Sequence, residues 1–173
     1  MPILIMLLGA IGAAAIWYWR IKAAREMGGE LLDAANDVRL AARRFGYRRK
    51  HNVHPGDSID DPRIAATGLL IAIAESDGAL TAAELEAVRL EIQRVFDIAS
   101  EEADELIAVG RWVIGQCGGA QPALRRLAKR LRVLAGGDVL PDLMKMGSAV
   151  AAVGGNNIEA QEAIAQIRRT IAN

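Results

Sequence analysis

AIAESDGALTAAE, residues 72–84, is the stretch on which the fold turns. An apolar, alanine-rich run over residues 64–75 enters it and reads as a helix. Ser76-Asp77-Gly78 then supplies a tight reversal, which glycine permits without steric cost. Leu80 stands just before Thr81-Ala-Ala-Glu84, the spacing of a capping box. In that motif the threonine side chain takes the backbone N–H three residues on, and the glutamate reaches back to the threonine N–H. Leu85, Val88, Ile92, Val95 and Phe96 follow on one helical face. Helix, glycine turn, apolar plug and capped helix are thus legible in order.

A looser copy, AVAAVGGNNIEAQE, occupies residues 149–162. Gly155 matches Gly78, Ile158 takes the place of Leu80, and Glu162 that of Glu84; one residue is inserted in the second turn. Between and around the copies the same punctuation continues. Asp61-Pro62 places an N-cap before a proline at the first helical position. Ser100 precedes an acidic first turn of Glu101, Glu102 and Asp104, which suits the positive end of a helix dipole. Pro122 opens a helix with Leu124, Leu127, Leu131 and Leu134 on one stripe, and Gly136-Gly137 ends it. Asp138 is placed to cap a fifth helix running to about Val153, and Ile158, Ile164, Ile167 and Ile171 mark a sixth. No stretch alternates with period two over a strand's length. An all-α bundle of six helices over residues 58–173 is predicted.

A helix ending in A-x-x-D-G, followed by an apolar residue and a glutamate, within about 110 helical residues, resembles the TerB-like family, which includes tellurite resistance protein B and the N-terminal domain of the membrane-anchored co-chaperone DjlA. Ala74, Asp77, Gly78, Leu80 and Glu84 carry the resemblance, which covers about residues 60–173. It implies a helical domain, and it implies divalent-cation binding through acidic residues near the turns. A DjlA-like protein would continue into a J domain with a His-Pro-Asp tripeptide. This sequence stops at Asn173, and Gly56 interrupts His54-Pro55-Gly56-Asp57, so no J domain is expected.

Residues 2–19, PILIMLLGAIGAAAIWYW, contain no charge. Eighteen residues at about 1.5 Å each make a helix of roughly 27 Å, close to the bilayer's hydrocarbon thickness. Trp17, Tyr18 and Trp19 arrive together, as rings do at a headgroup interface, and Arg20, Lys22 and Arg25 follow. With no charged side chain before the run, the positive-inside bias predicts a single-pass inner-membrane protein with its N-terminus outside and its C-terminal domain cytoplasmic. A cleaved signal peptide competes, with Ala13-Ala14-Ala15 as a cleavage site, but the basic n-region is missing.

Residues 20–57 read as a cationic helical stalk and linker, giving a division into 1–19 (transmembrane anchor), 20–57 and 58–173 (TerB-like helical domain). Ile21, Ala24, Gly28, Leu31, Ala35, Val38, Ala42 and Phe45 recur at spacings of three and four, a seam of small and apolar residues. It suits either helix pairing or docking onto the chain's own domain. Arg43, Arg44, Arg48, Arg49 and Lys50 form a basic cluster suited to anionic lipid or to solvent.

Lys and Arg number 21, and so do Asp and Glu, for a formal net charge of zero. That balance argues against a nucleic-acid binder. It is a sum over unlike parts: residues 20–50 carry nine basic and four acidic residues, and residues 51–173 carry 12 and 17. The single Cys117 excludes an internal disulfide and reads as a small hydrophobe. Asp77 and Glu84 are the candidate cation ligands, with Glu75 near, though a turn aspartate and a capping-box glutamate explain both. No other cofactor and no small-molecule substrate is indicated. Arg125, Arg126, Lys129, Arg130 and Arg132 make the fourth helix cationic, for an acidic partner, a lipid surface or solvent. No nucleophile, base and orienting group come together by type and spacing, so no enzyme is expected. Two functions remain open: a membrane-tethered TerB-like interaction or scaffold module linked to envelope or metal stress, with a protein partner or self-association, and an accessory or assembly subunit of a larger inner-membrane complex.

Overall fold

The computed structural model describes residues 38, 40–47 and 52–172. The chain divides into two units, Met1–Asp37 and Val38–Asn173, and every described residue belongs to the second. The apolar run 2–19, the interfacial residues Trp17, Tyr18, Trp19, Arg20, Lys22 and Arg25, and the seam residues Ile21, Ala24, Gly28, Leu31 and Ala35 lie outside the described residues.

Six α-helices come after a short 3-10 turn at Pro55–Ser58: α1 (Pro62–Ala74), α2 (Ala82–Phe96), α3 (Ser100–Gln116), α4 (Ala120–Ala135), α5 (Leu140–Val153) and α6 (Ile158–Ala172). The described residues contain no strand. The all-α expectation and its six helices between 58 and 173 are met.

The centre of the bundle is α1, in which every residue from Ile64 to Ala74 is buried. It packs against each of the other five helices. The cause is compositional: IAATGLLIAIA has no polar face to offer water, and a helix apolar all round is stable only inside. Each fully buried Ile or Leu contributes about 1.5–3 kcal/mol relative to exposure. The neighbours come close because the crossing residues are small. A Cβ on Gly110 of α3 would lie 3.3 Å from the Gly68 backbone nitrogen, and one on Gly68 would lie 2.7 Å from Leu127 Cδ1. No helix among the described residues is long and apolar enough to cross a membrane.

The caps mostly follow the sequence. Asp61 accepts from the Arg63 N–H at 2.8 Å, with Pro62 at the first helical position. Thr81 and Glu84 form the complete capping box of α2. Two details differ. Asp138 caps nothing: α5 begins at Leu140 behind Val139, with no side-chain cap. Ile158, expected to plug the second turn as Leu80 does the first, is 72 % exposed. The residue inserted in that turn moves the helix start, so Ile158 becomes the first residue of α6, whereas Leu80 precedes its helix by two.

The compact unit runs from Val38 to Asn173. Ala41, Ala42, Phe45 and Tyr47 are buried in its core. Tyr47 meets Trp112 of α3 edge-on at 5.1 Å between centroids, and the Arg63 guanidinium sits over the Phe45 ring at 5.2 Å. Arg63 also bridges Asp61 at 2.7 Å and Glu102 at 2.8 Å, while Arg44 pairs with Glu105. The polar, cationic composition around them concealed that Phe45 and Tyr47 are aromatic residues the core needs.

Candidate functional site

The two copies of the repeated turn meet in space. Thr81 N–H and its hydroxyl donate to Glu84 Oε2 at 2.9 and 2.7 Å, and the Glu84 N–H donates to Thr81 Oγ1 at 3.3 Å. Glu84 is only 5 % exposed because the end of α5 closes over it. A Cβ on Gly154 would overlap Glu84 Oε1 and stand 3.4 Å from its Cδ. Across the same junction Asn157 works in two directions. Its Oδ1 accepts from the Ala160 N–H at 2.8 Å, capping α6, and its Nδ2 donates to Asp77. Gly154, the counterpart of Asp77, is therefore a steric requirement: any side chain there would enter the Glu84 carboxylate.

These contacts decide what the proposed cation ligands do in the fold. Glu84 is engaged by Thr81 and covered by Gly154; Asp77 takes the Asn157 amide. A hard cation needs six or more oxygen ligands for Ca²⁺, or a near-octahedral set for Mg²⁺. Among the described residues no group of three His, Cys, Asp or Glu side chains converges. The arrangement fits a turn-to-turn clamp and does not fit a cation site. Glu75 stands near, its carboxyl pushed up by burial against the opposing pull of Arg111.

The cationic helix α4 divides into two edges. Leu124, Leu127 and Leu131 are buried, with Leu134 partly so. On one edge Arg126 pairs with Asp57, and Arg130 donates to Ile59 O at 2.5 Å and to Asp60 at 2.9 Å. These two arginines hold the segment 57–60 onto the bundle. On the other edge Arg125, Lys129 and Arg132, at i, i+4 and i+7, share one helical face. With Val133 of α4 and Arg169 and Thr170 of α6 they line an open groove of about 700 Å³. None of Arg125, Lys129, Arg132 or Arg169 forms an ion pair with a described residue, and no acidic side chain lines the groove. Four like charges held around one concavity, uncompensated, create a local field that favours an anionic occupant.

Sequence reading found three of these cations and missed Arg169, whose place is fixed only when α6 packs beside α4. A signal was present: Arg168-Arg169 falls off the Ile164, Ile167 and Ile171 stripe. The remaining candidates are structural. Of the seam, Ala42 and Phe45 are buried and Val38 half-buried, so these members lie on the chain's own domain. His54 caps the 3-10 turn, its Nδ1 accepting from the Gly56 N–H at 3.1 Å. Cys117 is half-buried beneath that turn, and burial pushes its thiol up, against Arg126. A Cβ on Gly56 would lie 3.2 Å from Cys117 Sγ and 2.8 Å from Arg126 Cδ, so only glycine lets the turn lie this close.

A family model described as "Tellurite resistance protein TerB" matches residues 63–171, which runs from the start of α1 to the end of α6. No curated protein and no solved structure matches the chain.

Proposed function

Since the chain belongs to the TerB family, we propose that it is a tellurite-resistance-related helical module tethered to the inner membrane, with its helical domain in the cytoplasm. It works without catalysis, by holding a protein partner or a second copy of itself. The family membership supplies the tellurite-related part. The observation that carries the tether is the uncharged run 2–19, closed by Trp17, Tyr18 and Trp19 and followed by Arg20, Lys22 and Arg25. A single anchor ahead of a TerB-like domain is also what makes the chain similar to the N-terminal region of DjlA.

Alkaline carbonate extraction of membranes containing the tagged full chain tests the tether. Retention in the pellet, with the C-terminal tag protected from protease in intact cells and digested in inverted vesicles, is expected. Release by carbonate, or digestion from outside the cell, refutes it. A second reading, an accessory or assembly subunit of a larger inner-membrane complex, draws on the small-residue seam at Ile21, Ala24, Gly28, Leu31 and Ala35. Stoichiometric recovery with one defined complex from gently solubilised membranes would favour it.

A further inference from the structure

We propose that the groove between α4 and α6 docks onto the phosphate headgroups of an anionic phospholipid bilayer. The unit Val38–Asn173 carries 18 basic and 17 acidic residues, so taken as a whole it has almost no net charge to draw it to an anionic surface. The groove is a place where positive charge is concentrated without an acid among its lining residues. Arg126 and Arg130 show that α4 cations close to an acid are paired by the fold, whereas Arg125, Lys129, Arg132 and Arg169 face one another around open space. Like charges repel, and the cost is recovered when phosphates enter between them. Val133 stands among them, 74 % exposed. An apolar side chain set among cations is the composition of an interfacial face, in which the apolar group enters the headgroup boundary as the cations meet phosphate.

The choice of a bilayer over an acidic protein rests on the membrane tether of the proposed function. A tethered domain meets the surface at an effective concentration on the order of millimolar. Each groove cation then shifts the docking equilibrium constant roughly fivefold.

The test uses the full chain with Cys117→Ser and an environment-sensitive fluorophore on Val133→Cys, reconstituted in phosphatidylcholine vesicles with increasing phosphatidylglycerol. A blue shift that grows with phosphatidylglycerol and is lost in high salt is expected. The same fluorophore on Leu90→Cys, an exposed position of α2, is expected not to respond. Lys129→Gln with Arg132→Gln, both at exposed positions, should lower the docking equilibrium constant read from the phosphatidylglycerol titration roughly 25-fold. The proposal is overturned by a missing shift, or by one that survives the double variant. It is also overturned if inorganic phosphate or poly-glutamate gives the shift in vesicles of phosphatidylcholine alone, which would assign the groove to a free anion or an acidic protein. Carbonate extraction of the same vesicles separates the two readings. Release with the shift intact removes the tether and keeps the groove; retention without a shift removes the groove and keeps the tether.

Discussion

Gly154→Ala should destabilise this protein, although by backbone criteria alone it should help. Gly154 has φ −77° and ψ 9°, which alanine adopts without strain. At such positions glycine-to-alanine exchange stabilises by about 0.4–1 kcal/mol through the unfolded chain. Against that, the new Cβ overlaps Glu84 Oε1. Carbon and oxygen approach to about 3.3–3.6 Å even in weakly attractive contacts, so the carboxylate must retreat by roughly 1 Å. It has little freedom to do so, being 5 % exposed and held by Thr81 at 2.9 and 2.7 Å. Giving up the capping box costs about 1 kcal/mol and leaves a buried carboxylate without its partners, about 1–3 kcal/mol more, and forcing the packing instead costs about 1–3 kcal/mol. The net is about 1–2 kcal/mol, or roughly 3–6 °C in melting temperature for a chain of this size. Thermal melting of the full-length protein in one fixed detergent, followed by far-ultraviolet circular dichroism, measures it. The decisive comparison is the double-mutant cycle with Glu84→Ala. With the carboxylate gone, Gly154→Ala should become neutral or stabilising, a coupling of about 1–3 kcal/mol. If Gly154→Ala melts at or above the parent with Glu84 in place, the clamp between the two turns is not what requires glycine there.

Asn157→Ala removes both the α6 cap and the bond to Asp77, and should cost about 1–2 kcal/mol in the same melt; Asn157→Asp keeps an acceptor for the Ala160 N–H but opposes Asp77, so it should also melt below the parent at pH 7. Thr67 Oγ1 is buried without a hydrogen-bond partner among the described residues, so Thr67→Val, of nearly the same shape, should stabilise by about 1 kcal/mol in denaturant titration. Burial raises the Glu75 carboxyl above its ordinary 4.5. The folded state therefore binds the proton more tightly than the unfolded state, and stability falls as pH rises from about 4.5 through the folded value. Glu75→Gln should accordingly raise the melting temperature at pH 7 and lose that advantage below pH 4.5; an advantage independent of pH would refute the assignment.

Sequence alone determined the local features: the buried helix from an uninterrupted apolar run, the capping box from Thr81 and Glu84, the leucine stripe of α4, and the repeated turn. Each depends on residues a few positions apart, where spacing dictates geometry. Tertiary structure decided every question that joins distant positions. Residues 41–47 belong to the core because Tyr47 finds Trp112 and Phe45 finds Arg63, partners no linker composition reveals. Asp77 and Glu84, which spacing left open to a cation, are claimed by Asn157 and covered by Gly154, about 70 to 80 residues on. The five cations of α4 look alike in sequence. Whether one is neutralised depends on which acid lies within hydrogen-bond reach, and chain folding sets that: Arg126 and Arg130 face Asp57 and Asp60, while Arg125, Lys129 and Arg132 face Arg169. Charge is a property of the residue, but its compensation is a property of the fold.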